Sequence, residues 1–154
     1  NVKFSISHSI YILVVFIIHI QEWWYGYQYS TQIEEWTLTT AMSIMLFPIV
    51  LFLQARLLFP TGNRTNDTDM VVYYSENWRW LFSLGAVTIV ISIWHNLAFS
   101  GFTIFQQGFQ LAYLMAYIIF IGFNIKGFYA HLVFLIIQLG IWIGYFLVDD
   151  SVLQ

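Results

Sequence analysis

Five stretches of about 20 predominantly apolar residues succeed one another along the chain, and each is long enough to cross the hydrocarbon core of a bilayer as a helix. They cover about residues 4–21, 37–59, 80–100, 103–124 and 128–148. Only 8% of the residues are charged and 60% are hydrophobic, whereas a soluble domain is about one quarter charged. The sequence therefore predicts an all-α integral membrane protein, with residues 1–154 forming one bundle of about five transmembrane helices.

Proline and glycine divide these stretches. Pro48 lies inside the second stretch and predicts a kink there, because proline has no amide N–H. The third and fourth stretches are separated only by Ser100-Gly101, and the fourth and fifth by a short segment at Gly127. Such short connections predict that helices three, four and five pack as antiparallel neighbours.

Aromatic residues concentrate beside the apolar stretches, where Trp and Tyr rings suit the membrane–water interface. One group is predicted to form a girdle in the loop after the first helix, and the other a short helix on the surface before the third. The first group is Trp23, Trp24, Tyr25, Tyr27, Tyr29 and Trp36, and the second is Tyr73, Tyr74, Trp78 and Trp80. Membrane anchoring is the simplest interpretation, and a ligand or partner surface is the alternative.

All basic residues fall on one side of a five-span chain. They are Lys3, Arg56, Arg64, Arg79 and Lys126. The positive-inside rule then predicts a cytoplasmic N-terminus and an external C-terminus. The chain begins at Asn1 rather than Met, which indicates processing or trimming, but an upstream segment would leave this orientation unchanged. The net charge of −3 and the lack of a basic patch predict no nucleic-acid partner.

Polar side chains recur at helical spacing, so that four of the helices each carry one polar stripe. Helix three aligns Thr88, Ser92, His95 and Asn96, and helix one aligns His8, His19 and Glu22. The candidate path or interface on helices four and five comprises Gln106, Gln110, Tyr113, Tyr117, Asn124, His131, Gln138 and Tyr145. Because polar groups in hydrocarbon need partners, these stripes are expected to bind neighbouring helices, to line a hydrated path, or to face another copy or subunit.

The four histidines fall at two predicted depths. His19 and His95 lie near the outer ends of helices one and three, and Glu22 follows His19 by one turn. A metal ion held by His19, Glu22 and His95, with Glu34 or Glu35, is one hypothesis. A b-type haem between two histidines is another, although a two-haem bundle needs two histidines on each of two helices. The third is that each histidine is a hydrogen-bonded core residue.

The segment from residue 19 to residue 60 resembles a pattern in small polytopic bacterial membrane proteins of unknown function. The resembling features are a His before Glu-Trp-Trp at a helix end, a later Trp opening the next helix, a mid-helix Pro and a Leu-Leu-Phe-Pro exit. They are found here at His19, at 22–24, at Trp36, at Pro48 and at 57–60. The resemblance implies the bacterial inner membrane and supplies no activity or ligand.

No motif for a reaction stands in the sequence: we find no phosphate-binding glycine loop and no Ser/His/Asp arrangement. The first functional hypothesis is therefore a non-enzymatic subunit of a membrane complex or a homo-oligomeric protomer, whose partners are the lipid bilayer and other membrane subunits or copies. The second is a channel or transporter for an ion or small solute, and the third is a metal- or haem-binding redox protein.

The predicted orientation can be tested directly, because the chain has no cysteine. Single cysteines placed near Asn66 and near Tyr29 are expected to differ when intact cells are treated with a membrane-impermeant thiol reagent. Only the Tyr29 site should be labelled, since the other lies on the side of the basic residues. Labelling at the Asn66 site instead would reverse the topology.

Overall fold

Five α-helices form the described part of the chain. The computed structural model describes residues 5–33, 35–60 and 69–148, with side chains described for all of these except 30, 32 and 145–148. The elements are α1 Ile6–Gln32, α2 Leu38–Leu57, α3 Met70–Phe99, a 3₁₀ turn Ile104–Gln107 that leads into α4 Gly108–Gly122, and α5 Phe128–Val148. In this part of the chain all regular structure is helical, as predicted.

Within the described residues, four segments are long and apolar enough to cross a membrane. They are Ile6–Tyr29, Leu38–Leu57, Met70–Phe99 and Ile104–Gly122, and a shorter apolar helix covers Phe128–Gly144. An integral membrane protein built as a helical bundle is therefore supported. The end of the bundle at which α3 passes into α4 is called here the Ser100 end, and the opposite end, where α4 passes into α5, the Gly127 end.

Local chemistry sets where the helices begin and end. Ser5, Thr37 and Asp69 directly precede α1, α2 and α3, and each side chain accepts a hydrogen bond from an amide of the first turn. These residue types are the usual N-caps, because their oxygens satisfy amides that have no helical partner. Gly101 after α3 and Asn124 after α4 adopt positive φ angles of 68° and 51°, a conformation that glycine and asparagine tolerate best.

The first helix continues well beyond the predicted span. α1 extends to Gln32, so the aromatic segment expected to be an outer loop is largely helical. At about 1.5 Å per residue, 27 residues span roughly 40 Å, which exceeds the bilayer core of about 30 Å. The final turns of α1 lie at the Ser100 end of the bundle, where Tyr29 packs against Phe99 of α3.

The predicted surface helix before helix three is wrong. Tyr74 and Trp78 are only 6% and 3% exposed, and they belong to α3, which begins at Met70. They recur with Leu81 and Phe82 at helical spacing and form a buried face, while Glu76 and Arg79 lie on the exposed face. Hydropathy averaged along the sequence does not detect such an amphipathic start of a helix. The charged residues of one face offset the apolar residues of the other in the average.

The order of neighbours differs in part from the expectation. α3 packs against α4 as predicted, but the backbone of α5 lies closest to α1, which also packs against α2 and α3. α4 and α5 meet through long side chains, such as the hydroxyl of Tyr117, which donates to Oε1 of Gln138 at 3.0 Å. Aromatic rings between α4 and α5 hold their backbones apart.

These rings belong to an aromatic layer near the Gly127 end, centred on Phe82, which is fully buried. Its ring centroid lies between 5.0 and 6.0 Å from those of its neighbours, mostly in edge-to-face or tilted arrangements. The neighbours are Tyr11, Trp78, Tyr117, Phe120, His131 and Phe134. Aromatic pairs at such separations are worth about 0.5–1.5 kcal/mol beyond the area they bury. The layer therefore joins α1, α3, α4 and α5.

A hydrogen-bonded group beside this layer joins three helices. The hydroxyl of Tyr11 on α1 donates to the carbonyl of Leu81 on α3 at 2.7 Å. The same hydroxyl accepts from Nε2 of Gln54 on α2 at 2.6 Å. Tyr11 is 0% exposed and Gln54 2%, so protein atoms rather than lipid or water surround this hydroxyl.

Replacing Tyr11 with Phe should lower the free energy of unfolding by about 1–3 kcal/mol, because it leaves the buried amide of Gln54 without its acceptor. Tyr129→Phe removes the same hydroxyl from a side chain that is 79% exposed, and it should have little effect. Unfolding of both variants in detergent, followed by circular dichroism, provides the comparison. Equal stabilities for the two variants would show that the Tyr11 hydroxyl does not hold the helices together.

Candidate functional site

A cavity of about 500 Å³ occupies the centre of the bundle, and all five helices contribute to its wall. This volume lies within the range of about 300–1,000 Å³ that is typical of small-molecule sites. Val14 and Tyr29 both line it, so at about 1.5 Å per residue it extends roughly 22 Å along α1. Such a length is a large part of the thickness of a bilayer core, which is about 30 Å.

The two ends of the cavity differ. Phe102, Gln106 and Phe109, all exposed, line the cavity at the Ser100 end, where it communicates with the exterior. Its deep end is lined by buried polar groups that lie directly above the aromatic layer. These are Gln54, Thr88, Tyr117 and Gln138. The cavity is thus open towards one face of the bundle and closed towards the other.

Close approach of two helices shapes the deep end. A Cβ atom on Gly85 of α3 would lie 2.9 Å from the ring of Tyr117 on α4, closer than carbon atoms ordinarily approach. Gly85 therefore gives the Tyr117 ring the space it occupies between the cavity and the aromatic layer. The oxygen of this ring binds Gln138, so α3, α4 and α5 meet at this point.

The polar lining is rich in side-chain amides. They are Gln21, Gln54, Asn96, Gln106, Gln107, Gln110 and Gln138. Several are held in place by other lining residues: Nδ2 of Asn96 donates to Oε1 of Gln107 at 3.0 Å, and Nε2 of Gln110 donates to Oγ of Ser92 at 3.2 Å. Among the lining residues Glu22 is the one with a carboxylate, and none is Lys or Arg.

Two polar atoms in the cavity wall are buried without a hydrogen-bond partner in the described structure. They are Oε1 of Gln110 and the hydroxyl of Tyr113, which are three residues apart on α4 and so share one face. Buried polar groups are normally paired, and an exception calls for an explanation. Since both residues line the cavity, a ligand or water within it can supply the missing partners.

The structure separates the predicted polar stripe of helices four and five. Gln106, Gln110, Tyr113, Tyr117 and Gln138 line the cavity, as do Thr88, Ser92 and Asn96 of helix three. Asn124 instead forms the exposed turn after α4, and His131 lies in the aromatic layer. The side chain of Tyr145 lies outside the described residues.

Three of the lining amides, Gln21, Gln54 and Gln107, were not singled out by the sequence analysis. Gln54 is the one amide within the apolar stretch 37–59, and an amide placed deep in a predicted span is a signal that could have identified it. Gln107 belongs to the 3₁₀ turn before α4. The tighter winding of that turn moves it off the stripe calculated for an α-helix.

Each of the four histidines forms a hydrogen bond with a backbone carbonyl. The pairs are His8 Nε2 with Leu58 at 2.7 Å, His19 Nδ1 with Val15 at 2.8 Å, His95 Nε2 with Ser43 at 2.9 Å and His131 Nε2 with Ile125 at 2.6 Å. Because a carbonyl only accepts, each of these ring nitrogens donates its proton. The hydroxyl of Tyr74 lies 3.0 Å from the second nitrogen of His131, so both nitrogens of that ring are occupied.

The predicted outer metal site is only partly assembled. Glu22 and His95 line the same cavity, whereas His19 is not among the lining residues and bonds to its own helix. Within the described residues no group of three or more His, Asp or Glu side chains is placed to hold a metal ion. Glu34 lies outside the described residues, and Glu35 is exposed. The described residues therefore offer no three-residue ligand set for the metal hypothesis, and the haem hypothesis stays a prediction.

No known protein family, curated protein or solved structure matches this chain. The cavity and its chemistry are therefore the features of the chain that bear on its function.

Cysteine substitution can test whether the cavity contains water. Ser92→Cys places a thiol in the cavity wall, and Val90→Cys places one at nearly the same depth on a side chain that is 51% exposed on the outer surface of the bundle. The Ser92 variant should react with a small polar thiosulfonate at least roughly tenfold faster, because the reactive thiolate forms in water and not in hydrocarbon. Mass spectrometry of protein in nanodiscs measures both rates, and equal rates would contradict a hydrated cavity.

Proposed function

We propose that this chain is a carrier for a small organic solute, and that its central cavity is the solute-binding site. The observation that carries the proposal is the asymmetry of the cavity, which is open at the Ser100 end and closed by the aromatic layer. A carrier must expose its site to one side of the membrane at a time, with the binding site near the middle of the bilayer. The polar residues at the deep end of the cavity suit that depth.

The lining supports solute binding more strongly than ion conduction. A conducting pore requires a continuous polar path, whereas here Phe82 and its aromatic neighbours close the route below Tyr117 and Gln138. Small-molecule sites combine apolar walls with a few oriented polar groups. Val14, Ile89 and other apolar side chains supply the walls, and the amides and hydroxyls supply the polar groups.

The membrane and the orientation form part of the proposal. We place the chain in a bacterial inner membrane, as the resemblance of residues 19–60 implies, with the Gly127 end in the cytoplasm. Among the described residues Arg56, Arg79 and Lys126 lie towards that end, which supports the orientation by the positive-inside rule. The cavity then opens to the outside of the cell and would take up solute from there.

A second candidate is a protomer of a larger membrane assembly, and one feature of α5 favours it. Gly140 and Gly144 are four residues apart, and nothing lies within 4 Å of the position that a Cβ atom would take on either. Gly140 is exposed, and Gly144 also lines the cavity. Paired small residues allow another helix to approach closely in a membrane. The two candidates are compatible, because a carrier can also work as an oligomer.

Labelling from each side of the membrane distinguishes a carrier from a one-sided binding protein. The Ser92→Cys thiol should react with a membrane-impermeant reagent in right-side-out vesicles and also, at a slower rate, in inside-out vesicles, since a carrier opens to both sides in turn. Val90→Cys serves as the control and should remain unreactive in both preparations. Reaction of the Ser92 variant from the outside only would contradict carriage and leave the protomer candidate.

A further inference from the structure

The charge of the cavity wall restricts what kind of solute it can hold. Glu22 supplies a carboxylate to the wall, and none of the described lysine or arginine residues lines the cavity. A carboxylate among apolar groups is costly to keep charged unless a positive partner lies close to it. The electrostatic partner that this wall lacks is therefore a cation.

The distribution of charge outside the cavity acts in the same direction. Glu35, which is exposed, follows α1 at the Ser100 end, whereas the basic residues of the described chain, Arg56, Arg79 and Lys126, lie towards the Gly127 end. Charge of one sign around the opening of a cavity raises the local concentration of solutes with the opposite sign. The open end thus favours the approach of cations and disfavours that of anions.

Aromatic rings give the cavity a second means of holding a cation. The rings that line it are those of Tyr25, Tyr29, Phe47, Phe102, Phe109, Tyr113, Tyr117 and Trp142. The negative faces of such rings attract a positive charge, most strongly where water is excluded, and quaternary ammonium groups are recognised in this way. An inorganic ion would form few favourable contacts with these apolar walls. An organic cation would bind through apolar contacts with the walls and through its charge.

Two buried polar atoms of α4 indicate the hydrogen-bonding groups that a solute needs. Oε1 of Gln110 is an acceptor, and the hydroxyl of Tyr113 can accept as well as donate. Both are buried, and neither has a hydrogen-bond partner among the residues that the structure describes. A protonated amine offers several N–H donors, which fits this pair of atoms better than a ligand that only accepts.

From these observations we infer that the cavity binds a small organic cation, an amine or quaternary ammonium with an aromatic or aliphatic body, with Glu22 as its counter-ion. The inference rests on the proposed function, since it assigns a solute class to the same cavity. The proposed function concerned only a small organic solute. The present inference adds that the cavity selects a solute by its positive charge as well as by its shape and volume.

Three probes of nearly the same shape test this inference. They are benzyltrimethylammonium, its neutral carbon isostere neopentylbenzene, and the anion phenylmethanesulfonate. Binding to the protein in nanodiscs is measured with radiolabelled benzyltrimethylammonium and by its displacement with the unlabelled compounds. The cation should bind at least tenfold more tightly than the neutral isostere, and the anion should not displace it.

Substitution of the counter-ion provides the matched comparison. Glu22→Gln should weaken binding of the cation about tenfold or more, while displacement by the neutral isostere remains unchanged. Glu35→Gln removes the same charge at the same end of the bundle from a residue that does not line the cavity. Because the charge of this exposed residue acts on the cavity only through solvent and is screened by salt, its loss should alter binding less than twofold. Thermal unfolding of both variants confirms that the fold is retained.

Two results would overturn the inference. One is failure of the cation to bind, and the other is equal or tighter binding of the neutral or anionic probe. Neither would decide the proposed function, because two-sided labelling of the Ser92 variant requires no cation and tests carriage separately. Loss of cation binding in Glu35→Gln to the same extent as in Glu22→Gln would likewise refute a counter-ion role for Glu22.

Discussion

The lack of water in the bilayer core is the constraint on which this structure depends, and the hydroxyl of Tyr11 shows how the chain meets it. A polar group in hydrocarbon must find its partner within the protein. Tyr11 donates to the backbone of α3 and accepts from Gln54 of α2, so one side chain of α1 satisfies groups on two other helices. These hydrogen bonds fix the positions of the three helices. Packing between apolar side chains alone would fix them less specifically, because the lipid tails are equally apolar.

Two histidines satisfy polar backbone groups at the ends of helices in the same way. His8 bonds to the carbonyl of Leu58, where α2 ends, and His131 to that of Ile125, between α4 and α5. Carbonyls in the last turn of a helix have no partner within that helix, and an imidazole N–H can supply one. This role accounts for His8 and His131, whereas the carbonyls that His19 and His95 bind lie within α1 and α2.

The aromatic layer and the cavity divide the bundle into two parts with different properties. In the layer, rings around Phe82 fill the space between α4 and α5, and in the other part the separation of these helices leaves the cavity. The polar residues there include atoms on Gln110 and Tyr113 for which the described part of the chain provides no hydrogen-bond partner. A well-packed layer beside an incompletely satisfied cavity is the arrangement expected of a binding site supported by a rigid core.

The sequence by itself determined the class of the molecule, because runs of apolar residues of a given length and their polar interruptions depend on local chemistry alone. It also identified most of the cavity wall on α3 and α4, since helical periodicity places Ser92 and Asn96 on one face and Gln110, Tyr113 and Tyr117 on another. Tertiary structure decided which faces meet. The backbone of α5 lies closer to α1 than to α4, His131 belongs to the aromatic layer, and Gln54 completes the deep end of the cavity. Periodicity gives the direction in which a side chain points from its own helix. Which neighbour it meets depends on how all five helices pair their polar and aromatic groups, because the hydrocarbon core of a bilayer offers no hydrogen-bond partners.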